Sequence, residues 1–164
     1  MTGEELRSVQ APLKARYRAQ PEAARITLRA EARLDEGVSC SVETGRQLVQ
    51  AGLHPATGGT GELACSGDML LQALAACAGV TLRAVATALD LPVRGGRVVA
   101  EGDLDFRGTL GVDREASVGF SRIRLRFDLE GETSPEQREK LLSLTERYCV
   151  VLQTLRRGAE VELA

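Results

Sequence analysis

Residues 66–89, SGDMLLQALAACAGVTLRAVATAL, decide the fold of this chain. Large apolar residues recur there at helical spacing, and small residues, mostly alanine, fill the other faces. A helix that is apolar or small on nearly all sides is buried on all sides. Ser66 can cap its start, Asp68 suits the positive end of the helix dipole, and Asp90 marks its end. The segment predicts a central core helix with Cys77 close to its middle.

The overall composition is that of an ordinary globular protein. With 164 residues, 43% apolar and 27% charged, the chain can form one good core, so we expect a single domain over residues 1–164. A net charge of -2 and only three Phe, two Tyr and no Trp argue against nucleic-acid binding. Polar residues interrupt the apolar segment, which argues against a membrane span. The first residues are acidic and are not followed by the apolar region of a signal peptide. We therefore expect no secretory signal and a cytoplasmic location.

Four cysteines, Cys40, Cys65, Cys77 and Cys149, lie far apart in the sequence, and the one histidine is His54. No two cysteines have the spacing of a zinc motif, so a metal site is not expected. Structural disulfides are not expected in a reducing compartment, so each thiol is either a small packed residue or a reactive group.

Alternating and helical patterns predict the remaining elements. The first is an N-terminal helix, opened by a capping box in which Thr2 and Glu5 exchange hydrogen bonds. A turn-rich loop leads into the core helix. The later long helix is opened by Ser134 with Gln137, a second capping box. In order, we expect a helix at 2–20, a hairpin of strands at 25–34 and 38–42, a short strand at 46–51, a loop at 53–62, the core helix, a hairpin of strands at 97–107 and 121–130, a long helix at 135–157 and a short strand at 159–163.

Cys77 and Cys149 differ from the other two thiols because each lies in a helical segment and faces the core. A buried cysteine is more often a packing residue than a reactive one, and both interpretations stay open here. A thiol attacks a peroxide only as a thiolate, which needs a nearby cation or hydrogen-bond donor, some access, and a second thiol within disulfide reach. Thr81 lies one turn beyond Cys77 on the same side of the helix, whereas Arg83 points elsewhere.

Two cysteine-bearing segments resemble a known family. Residues 65–77, CSGDMLLQALAAC, and residues 145–149, TERYC, are similar to segments of osmotically inducible protein C (OsmC) and the organic hydroperoxide resistance (Ohr) proteins. Residues 102–105 and 107–112 are similar to the middle strands of that family. The resemblance implies an α+β fold and an intertwined homodimer, in which antiparallel sheets wrap two long central helices per chain.

The resemblance covers about residues 25–164 and leaves residues 1–24 as an N-terminal helical extension. It implies that Cys77 is the peroxidatic cysteine and Cys149 the resolving one. The implied activity is thiol-dependent reduction of organic hydroperoxides through a sulfenate and a Cys77–Cys149 disulfide, in oxidative or osmotic stress defence. It implies no bound cofactor, because an external thiol or lipoyl-type dithiol resets the disulfide.

The family pairs its reactive thiolate with an arginine from an early strand or turn and a glutamate at the start of the central helix. The nearest candidates here are Arg33 and Asp68, with Glu62 as a substitute for the acid. The proline that often follows the second family cysteine is Val150 here.

Two alternative functions stay open at this point. One is a catalytically silent protein that binds an apolar small molecule in the dimer pocket, with both thiols reduced and packed. The other is an acyl-thioester hydrolase, for which no convincing histidine or acid partner is evident. Cys65 is either an alternative resolving thiol or a packing residue, and Cys40 is expected to be packed and inert.

Overall fold

The computed structural model describes residues 2–5, 8, 10–11, 19, 48–111 and 113–163, together with the backbone of residues 32–34 and 39–43. The helices are α1 (Ser66–Ala88), a short α2 (Phe106–Thr109), α3 (Pro135–Tyr148) and α4 (Val150–Arg157), with a 3-10 turn at Pro55–Thr57. The strands are β1 (Ala32–Leu34), β2 (Ser39–Glu43), β3 (Leu48–Gly52), β4 (Ala64–Cys65), β5 (Gly95–Asp103) and β6 (Arg122–Glu130).

The chain groups into two compact units, each made from separate stretches of sequence. One unit comprises Met1–Thr27, Leu74–Val98 and Arg126–Ala164, and the other comprises Leu28–Ala73 and Val99–Leu125. The first unit contains both candidate thiols. Its core is a cluster of buried apolar residues from α1, the loop after it and α3: Leu82, Ala86, Val93 and Leu141.

The second unit contains a four-stranded sheet in the order β1-β2-β3-β4. The predicted first hairpin is confirmed in its described part, because β1 and β2 pair antiparallel with Leu34 opposite Cys40. β3 adds to β2 antiparallel, with Cys40 opposite Ala51, which confirms the short strand predicted in this region. β4 pairs with β3 in parallel. This two-residue strand has no sequence signal, since it is too short for side chains to alternate.

The second predicted hairpin is confirmed, with one boundary corrected. The Arg94 N–H donates to the Glu130 carbonyl and the Ser121 N–H to the Asp103 carbonyl, each at 2.9 Å, so β5 and β6 run antiparallel. β5 ends at Asp103 and does not extend to residue 107. The reason is Asp105, whose carboxylate accepts the Arg107 N–H at 3.0 Å and starts α2.

α1 spans nearly the whole predicted core helix. The prediction that it is buried on all sides was wrong for the single chain. One face is buried, through Leu74, Ala78, Leu82 and Ala86 at four-residue intervals. Another face, which includes Ala73, Ala76 and Val80, is exposed, with Val80 at 72%. Within the described residues α1 is also long and apolar enough to cross a membrane by length and composition, a test that core helices of soluble proteins pass too.

Both capping boxes are confirmed. Thr2 and Glu5 exchange bonds of 2.8 and 3.1 Å, and Ser134 and Gln137 exchange bonds of 2.9 and 3.2 Å. Most of the predicted helix at 2–20 lies outside the described residues. The predicted strand at 159–163 was wrong, because this stretch has no regular secondary structure after Gly158 ends α4.

A paired-thiol candidate site

The long helix predicted over 135–157 is broken at Cys149. This residue ends α3 and precedes α4, and its backbone is extended, with φ -73 and ψ 106. An extended residue interrupts the helical hydrogen bonds, so the first N–H groups of α4 have no carbonyl partner within the helix. α4 also lacks a side-chain cap at this end. The break therefore leaves the first N–H groups of α4 available to the Cys77 thiol.

These donors lower the pKa of the Cys77 thiol. Burial by itself raises the pKa of this thiol, but hydrogen bonds from the Val151 N–H, the Cys149 thiol and the Val150 N–H act in the opposite direction. The Thr81 hydroxyl also lowers it. The hydrogen bonds outweigh burial, and the pKa of Cys77 lies below its ordinary value. Among the described groups that lower it, every donor is neutral.

Cys149 has the opposite character. It is fully buried, at 0% exposure, whereas Cys77 is only partly buried. Burial has the largest effect on the pKa of Cys149 and raises it. The Leu152 and Val151 N–H groups lower it, but the neighbouring Cys77 sulfur raises it further, and the pKa lies above its ordinary value. Cys149 therefore stays protonated and donates its S–H to Cys77. The pair combines one accessible thiol that favours the thiolate with one inaccessible thiol that favours the neutral form.

Thr81 lines the same site, as its position one turn beyond Cys77 predicted. Its Oγ1 donates to the Cys77 carbonyl oxygen at 2.8 Å. This carbonyl engages the one hydroxyl proton, so Thr81 is a weak donor to the sulfur and has the smallest of the effects that lower the pKa of Cys77. Arg83 does not approach the site, because its guanidinium donates to the Val93 carbonyl at 2.7 Å.

Asp68 is not brought to Cys77 within this chain. It lies in the first turn of α1, nine residues before Cys77, which is about 13 Å along a helix. Asp68 lines a cavity of about 390 Å³ in the other unit, together with Cys65 and Phe120. Cys65 is half-buried there and is a free thiol.

The remaining sequence-based candidates receive less support. Arg33 lies on β1 with its backbone opposite Ser41, but its side chain is outside the described residues, as is that of Cys40. Glu62 is exposed in the loop before α1. No group of three or more metal-ligating side chains occurs among the described residues.

The donors at Val150 and Val151 were missed by sequence reasoning. They are backbone groups, so the residue types carry no signal for them. The break that frees them contains neither glycine nor proline, the residues that usually punctuate a helix.

Comparison with known proteins gives a consistent result. The family model for OsmC-like proteins matches residues 59–164, well over half of the chain. No curated protein matches the sequence. A crystal structure of an OsmC-like protein from Mycoplasma pneumoniae superposes with a TM-score of 0.68 at 19% identity, covering 81% of this chain and 89% of that one.

Two further solved structures carry functional names. One is an organic hydroperoxide resistance protein OsmC, described as a predicted redox protein, from Legionella pneumophila, with TM-score 0.64, 19% identity and coverage of 85% and 96%. The other is an organic hydroperoxide resistance protein from Elizabethkingia anophelis, with TM-score 0.64, 17% identity and coverage of 85% and 95%. These similarities confirm the predicted OsmC-like α+β fold.

Proposed function

Because the chain belongs to the OsmC-like protein family, we propose that it is a thiol-dependent peroxidase that reduces organic hydroperoxides. The observation that carries the proposal is the pairing of Cys77 with Cys149, in which the accessible thiol has the lowered pKa. A peroxidatic cysteine must be both ionised and reachable, and a resolving cysteine must lie beside it. The names of the Legionella and Elizabethkingia neighbours support the same substrate class.

The proposed reaction begins with attack by the Cys77 thiolate on the outer oxygen of the hydroperoxide. The O–O bond breaks, the alkoxide takes up a proton and leaves as an alcohol, and Cys77 becomes a sulfenic acid. The Cys149 thiol then displaces hydroxide from this sulfur, forming a disulfide and releasing water. Two electrons and two protons from an external dithiol, of which a lipoyl group is an example, restore both thiols.

The exposure of the two thiols supports this assignment of roles. The incoming dithiol can reach only a sulfur that faces solvent, and Cys149 is fully buried. Attack on Cys77 releases Cys149 as the leaving thiol. The silent-binder alternative requires an ordinary or raised pKa at Cys77, and the lowered pKa counts against it.

A homodimer is part of the proposal. The face of α1 that includes Ala73, Ala76 and Val80 is apolar and exposed in the single chain. Exposed apolar patches of this kind mark contact surfaces. Since Asp68 stands about 13 Å from Cys77 along α1, an acid at the helix start would meet a thiolate only across such an interface.

Intact-mass spectrometry tests the reaction directly. After one equivalent of cumene hydroperoxide, the reduced protein should lose the mass of two hydrogens and gain a Cys77–Cys149 disulfide in its peptide map. Cys149→Ser should instead retain a sulfenic acid on Cys77 that dimedone traps. Cys65→Ser is the matched control and should behave as wild type. If neither the disulfide nor the trapped sulfenic acid forms, the proposed function is wrong.

A further inference from the structure

The break at Cys149 leaves a backbone carbonyl to account for as well as N–H groups. In a continuous helix, the Val150 N–H would donate to the Glu146 carbonyl four residues earlier. In this structure the Val150 N–H makes no bond to the Glu146 carbonyl, and its hydrogen bonding lowers the pKa of the Cys77 thiol. The Glu146 carbonyl therefore loses its helical donor, and leaving such a group unpaired costs free energy.

The side chain of Gln153 supplies the missing donor. Its Nε2 donates to the Glu146 carbonyl oxygen at 2.7 Å, reaching back across the break. The backbone N–H of the same residue donates to the Cys149 carbonyl at 2.9 Å, which fixes Gln153 in the first turn of α4. Gln153 is thus tied to both sides of the break. An ion pair between Arg156 and Glu146 also crosses it, but both side chains are more than half exposed, and such pairs contribute little.

We propose that Gln153 is a positioning residue for the Cys77 thiolate: its amide occupies the Glu146 carbonyl and so leaves the Val150 N–H to the Cys77 sulfur. The inference rests on the proposed function of Cys77 as the reacting thiol. Gln153 does not touch the thiol itself. It acts by satisfying the one carbonyl that would otherwise draw the Val150 N–H back into a continuous helix.

Gln153→Met tests this role, because methionine has a similar length and helix propensity and has no donor. The readout is the pH dependence of Cys77 alkylation by iodoacetamide, followed on the Cys77 peptide by mass spectrometry. We expect the midpoint to rise by roughly half a unit, since a weakened hydrogen bond to a charged sulfur raises the thiol pKa. Gln153→Ala should give a rise of the same sign.

Thr154→Val is the matched control in the next position. Thr154 also makes a side-chain bond across one helical turn, with its Oγ1 donating to the Val150 carbonyl at 2.9 Å. This bond does not compete for the Val150 N–H, so the variant should leave the alkylation midpoint unchanged. An equal rise in Thr154→Val would mean that general loosening of α4 explains the effect, and the inference would be wrong.

A double-mutant cycle with Val150→Pro separates the inference from other effects. Proline at this position has no N–H, so Gln153 can no longer make an N–H of residue 150 available to the Cys77 sulfur. Gln153→Met should therefore shift the midpoint in the wild-type background and cause little further shift in the Val150→Pro background. Additive shifts, or no shift from Gln153→Met in either background, would overturn the inference. Alkylation requires no peroxide, so these outcomes are independent of whether the protein reduces hydroperoxides.

Discussion

Val150→Pro is the most direct test of how Cys77, the proposed reactive thiol, is activated. The substitution removes one N–H donor from the Cys77 sulfur and leaves the fold intact. Proline is favoured at the first position of a helix, which Val150 occupies in α4. The residue before a proline must be extended, and Cys149 already is, with φ -73 and ψ 106.

The expected size follows from the energy of one hydrogen bond. A bond to a charged group contributes about 1.5–3 kcal/mol, and one pKa unit corresponds to about 1.4 kcal/mol. Because the Val151 N–H, the Cys149 thiol and the Thr81 hydroxyl remain, we expect the pKa of Cys77 to rise by about one unit, the lower end of that range.

The rate constant for peroxide reduction is expected to fall by less than the thiolate fraction does. Below both pKa values, a rise of one unit lowers the thiolate fraction about tenfold. A thiolate of higher pKa is also a better nucleophile. With a Brønsted slope of about 0.4–0.5, its intrinsic rate constant rises about threefold. The second-order rate constant with cumene hydroperoxide should therefore fall about three- to fourfold.

Iodoacetamide alkylation across pH gives the pKa, and stopped-flow consumption of cumene hydroperoxide gives the rate. Val150→Ala is the control, because it keeps the N–H and truncates a side chain that is 70% exposed. If Val150→Pro leaves the alkylation midpoint where it is, or if Val150→Ala raises it equally, the backbone donor does not activate Cys77.

Three further changes test other parts of the structure. Cys149→Ala should raise the pKa of Cys77 in the alkylation assay, because it deletes the S–H donor, whereas Cys149→Ser keeps a donor and should raise it less. Val80→Asp should convert the proposed dimer to monomer in analytical ultracentrifugation, whereas Val118→Asp, also at an exposed valine, should not; a dimeric Val80→Asp would exclude the α1 face as the interface. Ser134→Ala should lower the free energy of unfolding by about 1 kcal/mol in urea titrations through loss of the capping box, and leave the alkylation midpoint of Cys77 unchanged; a shifted midpoint would mean that the start of α3 influences the site.

Local signals in the sequence predicted most of the fold. α1, β6 and the start of α3 each have a strong period or a cap, and each was found close to its predicted bounds. The pairing of Cys77 with Cys149 was implied only by family resemblance, because two residues 72 positions apart have no local signal that brings them together.

The features that sequence could not predict depend on hydrogen bonds, which the alternation of apolar and polar residues does not record. The strand at β5 stops early because Asp105 prefers to cap a helix turn, a choice that alternation alone does not reveal. The break at Cys149 is compensated by two groups outside the local pattern, the Cys77 sulfur and the Gln153 amide. Helical periodicity runs through the break unchanged, so periodicity predicts one helix where there are two.

The mode of activation also bears on how the protein would be recycled. The neutral donors around Cys77 stabilise its thiolate, which exists only in the reduced protein, because a disulfide sulfur carries no charge. Stabilising the reduced form makes a disulfide more oxidising, and therefore easier for an external dithiol to reduce. The same hydrogen bonds would then favour both attack on the peroxide and reduction of the Cys77–Cys149 disulfide by the external dithiol. The disulfide of Val150→Pro should accordingly be less oxidising, and so harder for a dithiol to reduce, than that of the wild type. Equilibration of the Cys77–Cys149 pair against reduced and oxidised lipoamide measures this, and an unchanged equilibrium in Val150→Pro would show that the donors act on the attack alone.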